Sequence, residues 1–230
     1  LTAPGADAEK IISNLQLLAR RQTAANTQNV LSLDNLMSME FPEPKWIVKN
    51  LIPEGVSILS AAPKIGKSWL LLDIVVSLAT GAPVLGQDVD ETGTLYLALE
   101  DSNRRLQSRI RKQHHMNYNA NCEIVTSWES GIDGIIKLHN HIEHRKPALV
   151  GIDTLGVFSS MKDGNDYSET TRTLAQIKQL SNDTGASIVL VHHTRKAGSG
   201  DSDFLERTLG SQGIAGGADT SLTITRKRSD

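Results

Sequence analysis

Val56-Ser57-Ile58-Leu59-Ser60-Ala61-Ala62-Pro63-Lys64-Ile65-Gly66-Lys67-Ser68 is the stretch on which the fold turns. Val56–Leu59 is a short apolar run and predicts a buried strand. Lys67–Thr80 is largely apolar and ends at Gly81, which predicts a helix with a glycine stop. Between the two, Ala61 to Ser68 matches the phosphate-loop pattern G-x-x-x-x-G-K-[ST] at every fixed place but the first, where Ala61 replaces Gly. Backbone N–H groups in such a loop cradle phosphates, and the helix N-terminus adds a favourable dipole. Lys67 is placed to reach the β- and γ-phosphates, and the Ser68 hydroxyl to hold Mg²⁺. Gly-Lys-Ser by itself also fits an ordinary β–α turn, but strand, loop and helix in this order favour the phosphate loop. Ala resists positive φ, so the start of the loop must use a conformation that an L-residue tolerates. The nucleotide-binding set read from this stretch is Ala62, Pro63, Lys64, Ile65, Gly66, Lys67, Ser68 and Trp69.

Outward from this stretch the chain alternates. Thr94–Leu99, Glu123–Ser127, Ala148–Ile152, Ser187–Val191 and Ser221–Thr225 read as strands. Asn103–His115, Gly134–His144 and Glu169–Asn182 read as helices. Alternating strands and helices imply βαβ units, hence an α/β fold with a mostly parallel central sheet flanked by helices. Ligands of such sheets bind at the carboxyl ends of the strands, so the residue after each strand matters most. Before this domain, residues 7–22 predict a helix with Ile11, Ile12, Leu15 and Leu18 on one side. Residues 23–45 read as a polar linker with one helical turn near Leu33–Met37. The expected division is therefore 1–45 for helix and linker and 46–230 for the main domain. The polar, glycine-containing stretches 159–168 and 197–203 predict mobile loops.

Composition narrows the function classes. The chain has 230 residues, with 24 Lys+Arg against 26 Asp+Glu, so it is not a uniformly basic nucleic-acid binder. A local basic path remains compatible with that balance. Hydrophobic residues make up 39%, aromatics only 4%, so the core must be mostly aliphatic. Cys122 is the single cysteine, which excludes an intrachain disulfide framework and favours a reducing, cytoplasmic setting. No run reaches the roughly 18 apolar residues of a membrane span, so no membrane partner is expected. A start at Leu1 and an end in Arg226-Lys227-Arg228-Ser229-Asp230 read as a piece cut from a longer protein.

The strand tips carry the candidate chemistry. Ala148-Leu149-Val150-Gly151-Ile152-Asp153 is an apolar strand ending in an acid, which places Asp153 to hold the Mg²⁺ shell. An Asp capping a turn would look the same in isolation. Many phosphate-loop ATPases place a catalytic Glu directly after this Asp, but here Thr154 follows. Glu100, after the strand Thr94–Leu99, is the candidate base, with Asp101 as the fallback. The bland reading of Glu100 is a cap for the next helix, a role that Asp101 or Ser102 fills better. His192-His193-Thr194 ends another strand, where a polar group can sense a γ-phosphate or simply face water. The helix Asn103–His115 carries Arg104, Arg105, Arg109, Arg111 and Lys112, either a solvated face or a nucleotide or nucleic-acid contact. Arg226, Lys227 and Arg228 are either an arginine finger or a solvated strand end. His139, His141 and His144 with Cys122 are a weak metal candidate, because His139 and His141 cannot share a helix face.

Ala62 to Ser68, Leu95-Tyr96-Leu97-Ala98-Leu99-Glu100-Asp101-Ser102, Gly151-Ile152-Asp153-Thr154-Leu155 and Val191-His192-His193-Thr194 together resemble the RecA-like ATPases of the RepA type. These are the hexameric replicative helicases of plasmids and phages, related to the DnaB group. The resemblance runs from about Trp46 to Arg226. It implies a RecA-like P-loop fold using ATP and Mg²⁺, with Glu100 as catalytic base, His193 as γ-phosphate sensor and Arg109 near the nucleotide base. It also implies a homo-hexameric ring with ATP sites between subunits, single-stranded DNA in the channel and a fused or partner primase. The loops 159–168 and 195–212 would face that channel, and helix 7–22 would dock on a neighbouring subunit. Matching Gly210-Ser211 places the expected arginine finger near Asp219, an acid. The finger is then Arg226 or Arg228, or lies beyond the end of the chain. The leading expectation is an ATP-driven DNA motor. An ATP-dependent DNA-binding switch without unwinding shares the same residues. A small-molecule kinase shares the phosphate loop but needs a lid and an acceptor pocket that the sequence does not display.

Overall fold

A parallel strand covered on both faces must be apolar along its length, and the strongest strands of this chain are. The computed structural model describes residues 31–41, 43–114, 120–159, 167–193 and 217–225. The helix expected over 7–22, the loop 195–212, and Arg226 to Arg228 lie outside the described residues, as does most of 159–168. The chain divides into two units, Leu1–Glu43 and Pro44–Asp230. In the first, α1 (Leu33–Met37) is capped by Ser32, whose Oγ accepts the Asn35 N–H at 3.2 Å.

The second unit opens with an antiparallel pair, β1 (Trp46–Val48) and β2 (Ile52–Pro53). Its main sheet contains β3 (Val56–Ala61), β4 (Thr94–Ala98), β5 (Cys122–Val125), β6 (Leu149–Asp153), β7 (Ser187–His193) and β8 (Thr220–Thr223). The order is β5-β4-β6-β7-β3-β8, and every pair is parallel. The helices are α2 (Lys67–Thr80), α3 (Asn103–Gln113), α4 (Gly131–Arg145), α5 (Leu155–Phe158) and α6 (Tyr167–Thr184). This is the RecA-like α/β P-loop fold, with a parallel central sheet flanked by helices.

Period-two alternation sorts the core into two layers. Leu95, Leu97, Val150, Ile152, Ile188 and Leu190 face α4, α5 and α6. Tyr96, Ala98, Leu149, Val189 and Val191 face α2 and Leu106 of α3. α2 starts at Lys67 and ends at Thr80, and the glycine stop at Gly81 takes φ 68°. β8 is held to β3 by a side-chain clasp as well as by its ladder. Asp219 accepts the Val56 N–H at 2.9 Å on Oδ2 and the Lys178 ammonium at 2.6 Å on Oδ1. The place where the resemblance sought an arginine finger thus carries a structural carboxylate.

Several boundaries differ from the sequence reading, for physical reasons. β3 and β7 each run two residues further, because Ser60 and Ala61 pair with His192 and His193. β5 starts at Cys122 in register with Thr94 and stops at Val125. α3 ends at Gln113, where His114 turns extended. α4 begins at Gly131, so Gly134 lies inside the helix rather than at its start. A Cβ there would collide with the Glu129 carbonyl oxygen, and the Gly134 carbonyl accepts the Trp128 indole N–H at 3.1 Å. α5 was not expected; its Leu155 and Phe158, three apart, are both fully buried.

Two outcomes test this packing. Gly134→Ala is expected to destabilise by about 1–3 kcal/mol through overpacking, read as a lowered thermal midpoint. Burial works to raise the Asp219 pKa, but the Lys178 ammonium and the Val56 N–H outweigh it and hold it below 3.8. A depressed native pKa stabilises above the unfolded value and loses that contribution as pH falls through the native one. Asp219→Asn should therefore melt earlier than the parent at neutral pH, with the gap closing as pH falls below the ordinary carboxylate range. An unchanged gap over that range would show that the clasp is not ionic.

Candidate nucleotide site

The sheet order brings four chain segments to one edge. Ala61 ends β3, His193 ends β7, Asp153 ends β6, and Glu100 follows β4. β7 lies between the phosphate-loop strand and the Asp153 strand, with His193 in register with Ala61 and Ala98 in register with Asp153. Sequence reasoning named each of these tips; the order that makes them neighbours comes from the sheet.

Ala61 causes no difficulty in the phosphate loop. It is the last residue of β3, and its backbone is not left-handed. The left-handed residues are Lys64, at φ 64°, and Gly66, at φ 116°. A Cβ at Gly66 would meet nothing within 4 Å, so its backbone angle rather than crowding calls for glycine. Lys67 is buried, and its ammonium donates to Ala61 O at 2.7 Å and Ala62 O at 3.2 Å. Burial lowers its pKa from the usual lysine value, and the nearby Asp153 and Glu100 carboxylates oppose that shift. Ala62, Pro63 and Lys64 are exposed, Ile65, Gly66 and Ser68 half-buried.

Asp153 is 3% exposed. Tyr96 Oη donates to its Oδ2 at 3.0 Å, and burial together with this carboxylate pushes the Tyr96 pKa far up. The Leu99 N–H donates to the Asp153 carbonyl at 2.8 Å, tying the tip of β4 to β6. Gly151 leaves room for this arrangement; a Cβ there would stand 3.1 Å from Tyr96 Cδ2 and 3.2 Å from Leu71 Cδ1. Tyr96 was missed by sequence reasoning as a site residue. Its only signal was a phenol inside a strand that is otherwise aliphatic.

Glu100 and Asp101 have separate partners. Thr154 Oγ1 donates to Glu100 Oε1 at 2.9 Å. Asp101 receives Arg105 Nε at 2.6 Å and also pairs with Arg109, and its Oδ1 accepts the Ser102 N–H at 2.9 Å. Arg105 Nη2 further donates to the Glu100 carbonyl at 2.9 Å. The Arg109 guanidinium lies 5.1 Å from the centre of the Trp69 ring, on the first turn of α2. Two of the cations on α3 are thus bound to the site's own elements. Ser102, not Glu100, takes the N-cap position of α3.

Two histidines of the cluster have protein partners. His141 Nε2 lies 2.7 Å from Glu123 Oε2, beside Arg145 on the same carboxylate, and its ring packs edge-on against Trp128. His144 Nδ1 meets Asn140 O at 2.6 Å. Among the described residues no group of three or more His, Cys, Asp or Glu could hold a metal. The donor set at the phosphate loop is different. One hydroxyl, Ser68, and one carboxylate, Asp153, are hard oxygen donors, and Mg²⁺ takes few protein ligands of this kind together with substrate phosphates. The residues present therefore fit a Mg-nucleotide.

Tyr96→Phe is expected to keep the fold but weaken Mg²⁺-dependent nucleotide binding by roughly 10-fold, because outer-shell donors orient metal-binding carboxylates. A Mg²⁺ titration of nucleotide binding reads this directly, and unchanged affinity would remove Tyr96 from the site.

No curated protein matches the chain. A family model described as AAA domain matches residues 20–199, most of the chain. That match spans the phosphate loop, the Asp153 strand and β7, and with it the chain belongs to the AAA domain family of P-loop ATPases.

Proposed function

We propose that this ATPase is a DNA motor of the RepA/DnaB replicative-helicase type, the engine of a plasmid or phage replication protein. It works on single-stranded DNA as a homo-oligomeric ring, a hexamer, with a fused or partner primase. The observation that carries this reading is the place of the acid. No carboxylate follows Asp153; Glu100 stands instead on the neighbouring strand tip, joined to Thr154 by a hydrogen bond. That layout supports the resemblance drawn from the motifs.

In this reading each group has one task. The N–H groups of the loop from Ala62 to Gly66 bind the phosphates, and Lys67 leaves its carbonyl partners for the β- and γ-phosphates. Ser68 and Asp153 would hold Mg²⁺, which would supply charge neutralisation to the phosphates. Glu100 accepts a proton from the attacking water as its oxygen bonds to the γ-phosphorus. The bond to the β–γ bridging oxygen breaks, leaving ADP and inorganic phosphate. His193, next to the phosphate loop through β7, reports loss of the γ-phosphate. Trp69 and Arg109 flank the nucleotide base. A ring would supply the arginine finger from a neighbouring subunit.

The test is Mg-ATP hydrolysis with and without single-stranded DNA. Stimulation by DNA is expected. Lys67→Ala should abolish turnover, and Glu100→Gln should keep ATP binding while losing at least about 100-fold in kcat. Turnover of Glu100→Gln at the parent rate would overturn the base assignment. Strand displacement then separates a motor from an ATP-dependent DNA-binding switch, which would be stimulated yet unwind nothing.

A further inference from the structure

We propose that Thr154 is the positioning residue for Glu100, an assignment that rests on Glu100 being the base. Thr154 occupies the place directly after Asp153, and it is 2% exposed. Its hydroxyl donates to Glu100 Oε1 at 2.9 Å. Glu100 itself is exposed at the end of the sheet, on a side chain with three rotatable bonds. Such a carboxylate samples many orientations unless something selects one.

Further contacts hold the backbone on either side of this pair. The Leu99 N–H bond to Asp153 O, at 2.8 Å, fixes the spacing between the two strand tips one residue before the pair. Arg105 holds the Glu100 carbonyl at 2.9 Å and, with Arg109, the neighbouring Asp101. The backbone of the base is thus held from α3, and its carboxylate is aimed from the residue that follows β6 and caps α5. Thr is restricted at χ1, so a buried Thr offers its Oγ1 few positions. Thr154 touches neither the water nor the nucleotide in this scheme. It acts through Glu100 by orienting the carboxylate toward the γ-phosphate.

The experiment is a double-mutant cycle on the full chain. Mg-ATP hydrolysis is measured for the parent, Thr154→Val, Thr154→Ser, Glu100→Gln and the Thr154→Val/Glu100→Gln double variant. Binding of a fluorescent ATP analogue and thermal melting are read alongside. Thr154→Val should lose kcat on the order of 10-fold or more, since small misplacement of a reacting group is costly. Its KM should stay within about twofold, and Thr154→Ser should recover to within about threefold of the parent kcat. On the Glu100→Gln background Thr154→Val should add no further loss. A further loss of the same size on that background would make the role structural and overturn the proposal. Thr154→Val turning over at or above the parent rate would also overturn it, since the hydroxyl would then do nothing or hold Glu100 back. Glu100→Gln at the parent rate fails the base reading itself, and that arm shows it independently of Thr154. If Thr154→Val does not fold, Thr154→Ala takes its place with the same expected and overturning results.

Discussion

Asp153 is a carboxylate buried at the end of an aliphatic strand, and the site is organised around that charge. An ion taken out of water needs hydrogen bonds and opposite charge close by. Tyr96 supplies the hydrogen bond from β4, and Lys67 supplies positive charge from the start of α2. Each partner imposes packing of its own. Tyr96 reaches Asp153 past Gly151, where a side chain would press on Tyr96 and Leu71. Lys67 is buried against its own loop, on Ala61 O and Ala62 O. β4 and α2 thus converge on one acid of β6, at the edge of the sheet where the candidate nucleotide site lies.

A second set of charges lies one strand further out. Arg105 and Arg109 close on Asp101, and Arg109 stacks on Trp69. This joins α3, the turn after β4 and the first turn of α2. The same two arginines belong to the basic helix that a sequence reading leaves balanced between a solvated face and a ligand contact. The structure gives them protein partners, with Arg105 61% and Arg109 21% exposed at the side chain. An exposed cation such as Arg105 contributes little stability by its ion pair alone. Their consequence is geometric, because they hold the backbone of the residue that carries Glu100.

Much of this was legible beforehand where the signal is local. The central strands β3, β4, β6 and β7 announced themselves as short apolar runs, and the glycine at 81 closed its helix as expected. The phosphate loop was readable because its spacing reflects backbone geometry. Ala61 in place of Gly proved harmless because the left-handed angles fall at Lys64 and Gly66. The errors also have local causes. Gly134 looked like a helix boundary, since glycine is a helix breaker on average. Here it sits inside α4 because only glycine clears the Glu129 carbonyl. The histidines on the same helix were only a weak metal candidate, and two of them have protein neighbours, His141 beside Glu123 and His144 on Asn140 O.

The sequence by itself determined the phosphate loop, the alternation of strands and helices, and the polar residue at each strand tip, because these follow from backbone angles and from which side chains tolerate burial. It could not determine which tips are neighbours. Only the tertiary structure placed β7 between β3 and β6, and β4 beside β6. Strand order depends on how helices cover both faces of the sheet, a long-range packing outcome with no signature in any one segment. That order brings Tyr96 to Asp153 across 57 residues of chain and Thr154 to Glu100 across 54. Both contacts join side chains whose individual positions look unremarkable, and only folding makes them partners.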